Sequence, residues 1–112
     1  LSGEVPGRIA AALGDPATRD ALTGGVEAAS IDGWAVHAGG RSILDSVEAG
    51  LDLASDALSD SRAVLADNGN MSSATLMFVL ARLFARRPAR GVALAFGPGL
   101  AAEGLRFGWR DA

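Results

Sequence analysis

The chain has 112 residues, a formal net charge of −3 and no cysteine. That length supports one domain with a modest core. The composition excludes disulfides, thiolate metal sites and a cysteine nucleophile within this stretch, and its charge gives no reason to expect nucleic acid or an anionic membrane surface.

Val5, Ile9 and Leu13 recur at i, i+4 and i+8 and predict an opening helix, in whose first turn Pro6 is tolerated. Gly14 and Asp15-Pro16 stop it. Residues 15–30 are small and polar and read as a connecting loop, with one short helical turn near Ala17–Leu22. Ile31–Val36 is a strand candidate. A helix is expected from Arg41 to Ala54, with Ile43, Leu44, Val47 and Leu51 on one face and Asp45, Glu48 and Asp52 on the other. That acidic row, extended to Asp56, reads as a solvated surface.

A short helix over Asp60–Asp67 closes at Gly69. The next helix starts at Ser72 or Ser73 and runs to Arg87, before Pro88. Its centre, Leu76–Leu80, is apolar all round, which predicts tight packing against something larger than these 112 residues supply. The longest unbroken apolar run, Leu76–Ala81, is far too short to span a membrane. Gly91–Phe96 is a second buried-strand candidate. Leu105, Phe107 and Trp109 alternate with Arg106, Gly108 and Arg110 and predict a last strand with one apolar face. Helices between short apolar strands predict an α/β layer structure.

His37 is the only histidine. It stands where a strand ends and a small-residue turn, Ala38-Gly39-Gly40, begins, so a ligand could approach its imidazole. The plainer reading is a histidine that caps the strand end by bonding a backbone carbonyl. A metal site is not expected, since one histidine without cysteines or a tight carboxylate cluster is no ligand set. Asn70, within Asn68-Gly69-Asn70, is either ordinary turn chemistry or an amide able to donate to a developing oxyanion. The glycine turns at 37–40 and 95–99 match no dinucleotide or phosphate-loop spacing.

Three motifs stand in one order: His37-Ala-Gly-Gly40 with Ile43-Leu-Asp45 behind it, Gly69-Asn70-Met71-Ser72-Ser73, and Phe96-Gly97-Pro98-Gly99. Together with Val5-Pro-Gly-Arg-Ile9 they resemble the C-terminal part of a chalcone synthase-like type III polyketide synthase, over essentially the whole chain. The resemblance implies a thiolase-like α/β fold, a sheet between helix layers, in which residues 1–112 form one C-terminal domain, incomplete without an upstream N-terminal half. It implies an acyltransferase that condenses an acyl-CoA starter with malonyl-CoA, using a Cys-His-Asn triad and working as a homodimer. His37 and Asn70 would be the triad histidine and asparagine. Gly39, Gly40 and Ser42 would lie near the CoA arm. Ser72 and the turn Phe96, Gly97, Pro98, Gly99 would wall the cavity. CoA thioesters would be substrates, and no resident cofactor is implied.

Ala38 stands where the family has proline, and Ala95 where it has glycine; altered loop stiffness or cavity shape is expected from both. The triad cysteine is absent, so this stretch alone should not catalyse condensation. With no signal or transit segment at its start, the expected location is the cytoplasm. A β-ketoacyl-ACP synthase of the fatty-acid initiating kind is the close rival, though Met71 and the Phe-Gly-Pro-Gly turn argue against it. A non-catalytic thiolase-like dimerisation or interaction subdomain is the alternative from another class.

Overall fold

Alternation along two short strands sets the layers of this protein. The computed structural model describes residues 4–37, 40–69, 73–96 and 102–109. Strand β1 spans Gly33–Val36, β2 Gly91–Phe96 and β3 Ala102–Phe107. They form one sheet in the order β1-β2-β3, with β1 parallel to β2 and β3 antiparallel to it. Successive side chains on a strand face opposite ways. Trp34, Val36, Val92 and Leu94 therefore enter one core, while Ala35 and Ala93 enter another.

Helices α1 (Glu4–Gly14), α2 (Pro16–Thr23) and α3 (Arg41–Gly50) cover the first face. Ile9 and Leu13, with Ile43, Leu44 and Val47, pack there against Trp34 and Leu94. Ile9 and Leu13 of the stripe predicted for α1 and all of the stripe predicted for α3 are buried, the Val5 side chain lying outside those described. α1 and α3 approach closely: a Cβ at Gly50 would come within 2.9 Å of the Ala10 carbonyl oxygen and of Leu13 Cβ. The other face carries α4 (Ser59–Asn68) and α5 (Ser73–Arg86). Val64, Val79 and Leu83 pack onto Ala35 and Ala93. Small strand residues let α5 lie close, and a Cβ at Gly33 would sit 2.8 Å from the Pro88 ring. No helix among the described residues is long and apolar enough to cross a membrane.

Four sequence expectations change. The loop expected over residues 15–30 holds a full helix, α2, and a 3₁₀ turn at Ala28–Ser30. Asp15 caps α2 by accepting from the Thr18 N–H at 3.2 Å, Pro16 opens it, and Gly24 ends it in the left-handed conformation. Helix α3 stops at Gly50 rather than Ala54, and Asp52 takes a positive φ of 54° just beyond. The last strand lies earlier, at Ala102–Phe107, because pairing with β2 begins at Phe96↔Ala102. The acidic row is not wholly solvated: Arg62 of α4 bridges to Asp45 at 2.9 Å and to Glu48 at 3.3 Å.

Two carboxylates tie the helices and loops to this frame. Asp60, in the first turn of α4, is buried and binds both Arg82 and Arg86 of α5. Asp32, just before β1, accepts from the Ala89 N–H at 3.0 Å and the Arg90 N–H at 2.8 Å, joining the entrances of β1 and β2. Burial alone would raise the Asp32 pKa. The backbone donations from Arg90, Ala89 and Asp32 itself, with the Arg86 charge, outweigh that and hold it below the usual aspartate value.

Because the folded pKa of Asp32 is the lower one, its contribution is complete above the unfolded value of about 3.9 and is lost as pH falls through the folded pKa. Asp32→Asn should therefore melt below the parent at neutral pH, and the gap should shrink as pH falls from the unfolded value of about 3.9 through the lower folded pKa. A gap that persists at low pH would contradict this. Asp60→Asn should lower stability by about 1–3 kcal/mol, since it weakens charge-assisted bonds at a buried acceptor. Urea denaturation of the two proteins measures the difference.

Candidate active site at the carboxyl end of the sheet

Parallel strands need a crossover, and here residues 37–90 make it. Helix α5 leads into β2, whose start, Gly91, pairs with the start of β1, Gly33. α5 thus runs antiparallel to β1, with Leu83 and Pro88 against Gly33. Ten residues back from Leu83 is Ser73, about 15 Å along the helix. Four residues on from Gly33 is His37, about 13 Å along the strand. The start of α5 is therefore level with His37. Helix α3 begins only four residues after His37, so its start stands at the same end.

His37 lies just past β1. Its N–H donates to the Leu94 carbonyl at 2.9 Å, one step beyond the ladder pair Val36↔Leu94. The residue is partly buried, and Nδ1 is buried without a hydrogen-bond partner among the described residues. At the strand end it is the backbone N–H of this histidine that bonds a carbonyl, and Nδ1 bonds none among the described residues. A buried ring nitrogen without a partner among the described residues calls for an explanation, and a bound ligand is one.

Gly40 is the extended residue that opens α3, and its carbonyl accepts from the Ile43 N–H at 3.2 Å. Ser42 is exposed in the first turn, where its carbonyl accepts from Ser46 Oγ at 2.8 Å. Helix starts carry N–H groups without intrahelical acceptors and a partial positive charge. Two such starts, of α3 and α5, share the His37 end of the sheet. Negative charge is favoured there, and open α/β sheets hold ligands outside the carboxyl ends of their strands.

Phe96 ends β2 at the same edge, two residues past Leu94. Its ring packs against the α1–α3 core. Strand alternation puts Ala35, and with it the next odd residue His37, on the α5 face. Phe96 and His37 are thus at one end of the sheet, on opposite faces. Gly39, Asn70, Ser72, Gly97, Pro98 and Gly99 lie outside the described residues. Among the described residues no cluster of histidines and carboxylates could hold a metal ion.

One buried polar residue beside the site went unremarked in the sequence. Ser61 Oγ, on α4, accepts from the Val36 N–H at 3.0 Å, directly before His37. Its signal was its spacing: Ser61 lies three residues before buried Val64 and so shares the inward face of the helix.

Residues 1–108 match the family model of the chalcone and stilbene synthases, C-terminal domain. An alpha-pyrone-synthesis polyketide synthase-like protein of Mycobacterium tuberculosis is 36% identical over 112 residues, which is 96% of this chain and 28% of that protein. The 1,3,6,8-tetrahydroxynaphthalene synthase of Streptomyces coelicolor is 39% identical over 92 residues, covering 79% of this chain and 25% of its own. Its crystal structure superposes with a TM-score of 0.81 at 34% identity, over 100% of this chain and 33% of that one. A polyketide synthase of the brown alga Ectocarpus siliculosus gives 0.84 at 35% identity, over 95% of this chain and 31% of that one. The chain spans about a third or less of the proteins it matches. Its thiolase-like α/β half and its match over residues 1–108 lead to one conclusion: the chain belongs to the chalcone and stilbene synthase family of type III polyketide synthases, as the C-terminal domain.

Proposed function

We propose that this chain is the part of a type III polyketide synthase that supplies the histidine and asparagine of a Cys-His-Asn triad, with His37 and Asn70 in those roles. One observation carries the reading. His37 ends β1 level with the start of α5, and Gly69-Asn70-Met71-Ser72-Ser73 leads directly into that helix. The cysteine belongs to a preceding N-terminal half, in keeping with matched proteins three or more times this length.

In this reading the cysteine thiolate, stabilised by the His37 imidazolium, attacks the carbonyl of an acyl-CoA starter and CoA leaves as its thiol. Malonyl-CoA then loses carbon dioxide, and the electron pair of the broken C–C bond moves onto the thioester as an enolate. The His37 ring N–H and the Asn70 amide N–H donate to that oxygen in a site shielded from water. The enolate carbon attacks the acyl-cysteine carbonyl, a C–C bond forms, and the thiolate departs. Gly39, Gly40 and Ser42 border the CoA arm. Ser72 and the turn Phe96-Gly97-Pro98-Gly99 wall the cavity. The enzyme is a homodimer acting in the cytoplasm, with CoA thioesters as substrates and no resident cofactor.

The same reading explains the surface. Met77, Phe78 and Phe84 on the outer side of α5, with Leu105 and Trp109 beside them, remain exposed. Met77 and Leu105 are each 67% exposed, too apolar a surface for water to be its natural neighbour. The missing half is its partner. The exposed face and the absence of cysteine also favour the second reading, a non-catalytic interaction subdomain.

In the full-length protein, His37→Ala should lower malonyl-CoA decarboxylation by about 10²–10³-fold, the usual cost of one oxyanion donor. Near-normal turnover would overturn the catalytic reading and leave the interaction subdomain. Phe78→Glu, at a half-exposed position, should leave the fold of the 112-residue chain intact. It should abolish co-purification with the separately expressed preceding half, and undiminished co-purification would show that α5 docks nothing.

A further inference from the structure

The geometry around β1 assigns a role to Ser61: we propose that it is a positioning residue for His37. Its buried hydroxyl oxygen fixes the strand end from which the imidazole projects. The proposal rests on the reading of His37 as catalytic.

Strand β1 has only four residues, and β2 holds just one of its edges. The Gly33 N–H donates to the Arg90 carbonyl at 3.1 Å and the His37 N–H to the Leu94 carbonyl at 2.9 Å. The intervening even residues, Trp34 and Val36, turn their backbone groups to the opposite edge, where no described strand pairs with them. Val36 is 1% exposed, so water does not serve its N–H. Ser61, 2% exposed, does so at 3.0 Å.

The two peptide N–H groups flanking the Val36 Cα are thus held from opposite sides, one by α4 and one by β2. Pinning both peptide planes fixes the direction in which the chain leaves the sheet and carries His37.

Ser61 also sits at an informative place along the chain. It lies in the first turn of α4, and that helix ends at Asn68, two residues before Asn70. One rigid helix therefore grips the strand end bearing His37 and delivers the chain toward Asn70. Its neighbour Asp60 binds Arg82 and Arg86, fastening the same turn to α5. A core residue chosen only for packing would be apolar here, as Val64 is one turn later.

The test uses the full-length protein and malonyl-CoA decarboxylation. Ser61→Ala should lower kcat about tenfold, with KM within about twofold of the parent, because small misplacements of a reacting group act on the chemical step. Ser61→Thr keeps the oxygen and should restore kcat to within about twofold. Leu13→Ala, in the core on the α1 side, serves as a control with an equal or larger loss of stability and should keep kcat. Should Ser61→Ala fail to fold, Ser61→Cys, close in size but a weak acceptor, is read in its place. Parental kcat in Ser61→Ala, a loss that Ser61→Thr does not restore, or an equal loss in Leu13→Ala overturns the proposal. His37→Ala is measured alongside. If it keeps activity, the catalytic reading fails; if it abolishes activity while Ser61→Ala does not, only the positioning role fails.

Discussion

The parallel pairing of β1 with β2 decides where everything else in this protein goes. Two parallel strands cannot be joined by a tight turn, so the chain between them must travel back along a face of the sheet. It does so through α3, α4 and α5. The helix that leaves β1 starts at the strand's carboxyl end. The helix that returns to β2 must start there too, because it has to finish where β2 begins. His37 and the starts of α3 and α5 are gathered at one edge as a consequence of connectivity, before any side chain makes a contact. A chemistry that develops negative charge suits that edge, since both helix starts favour anions.

Helix α5 is the element whose two sides have different needs. Its inner side, through Val79 and Leu83, is buried on strand positions that are small, Ala35 and Ala93. Small strand residues let a helix lie close to the sheet and keep its axis, and hence its first turn, at a fixed distance from His37. Its outer side carries Met77 and Phe78 into solvent, and Phe84 meets Phe107 and Trp109 edge to face at 5.5 and 5.1 Å. A helix that is apolar on every side is stable in water only when both sides are covered. The sequence pattern alone pointed to that, and the structure shows which side these residues leave open.

The parts of the fold that were legible in the sequence are those where burial writes the pattern. Gly91–Phe96 is read correctly to the residue because a strand covered on both faces is a continuous apolar run. The stripes of α1 and α3 follow from their 3.6-residue period. Helix α2 was legible only as a short turn near Ala17–Leu22, because just Leu22 and Thr23 of its eight residues are buried and hydrophobic periodicity has almost nothing to work on. Its caps, Asp15 with Pro16 and then Gly24, were the visible signal, and Arg19 reaches from it to the Leu51 carbonyl at 2.6 Å. The start of β3 was hidden for another reason: Ala102-Glu103-Gly104 takes its strand state from pairing with β2 rather than from its own propensity. His37 was conspicuous as a lone histidine before glycines, but that its Nδ1 is buried without a partner among the described residues is a tertiary fact.

Helix α4 shows why polar residues on an inward face escape a hydrophobic reading. Asp60, Ser61 and Val64 are its buried positions, so two of the three are polar. Valine at position 61 would fill similar space and add apolar contact. It would also leave the Val36 N–H buried without an acceptor, at a cost of about 1–3 kcal/mol. The apolar gain from a methyl-sized difference, about 1 kcal/mol, does not exceed that. Asp60 follows the same logic, since an apolar residue there would leave Arg82 and Arg86 without their carboxylate. Directional bonds at these two sites hold α4 against both β1 and α5, the elements on either side of the candidate site. A hydrophobic contact at either position would bring the same elements together but would not fix their angle.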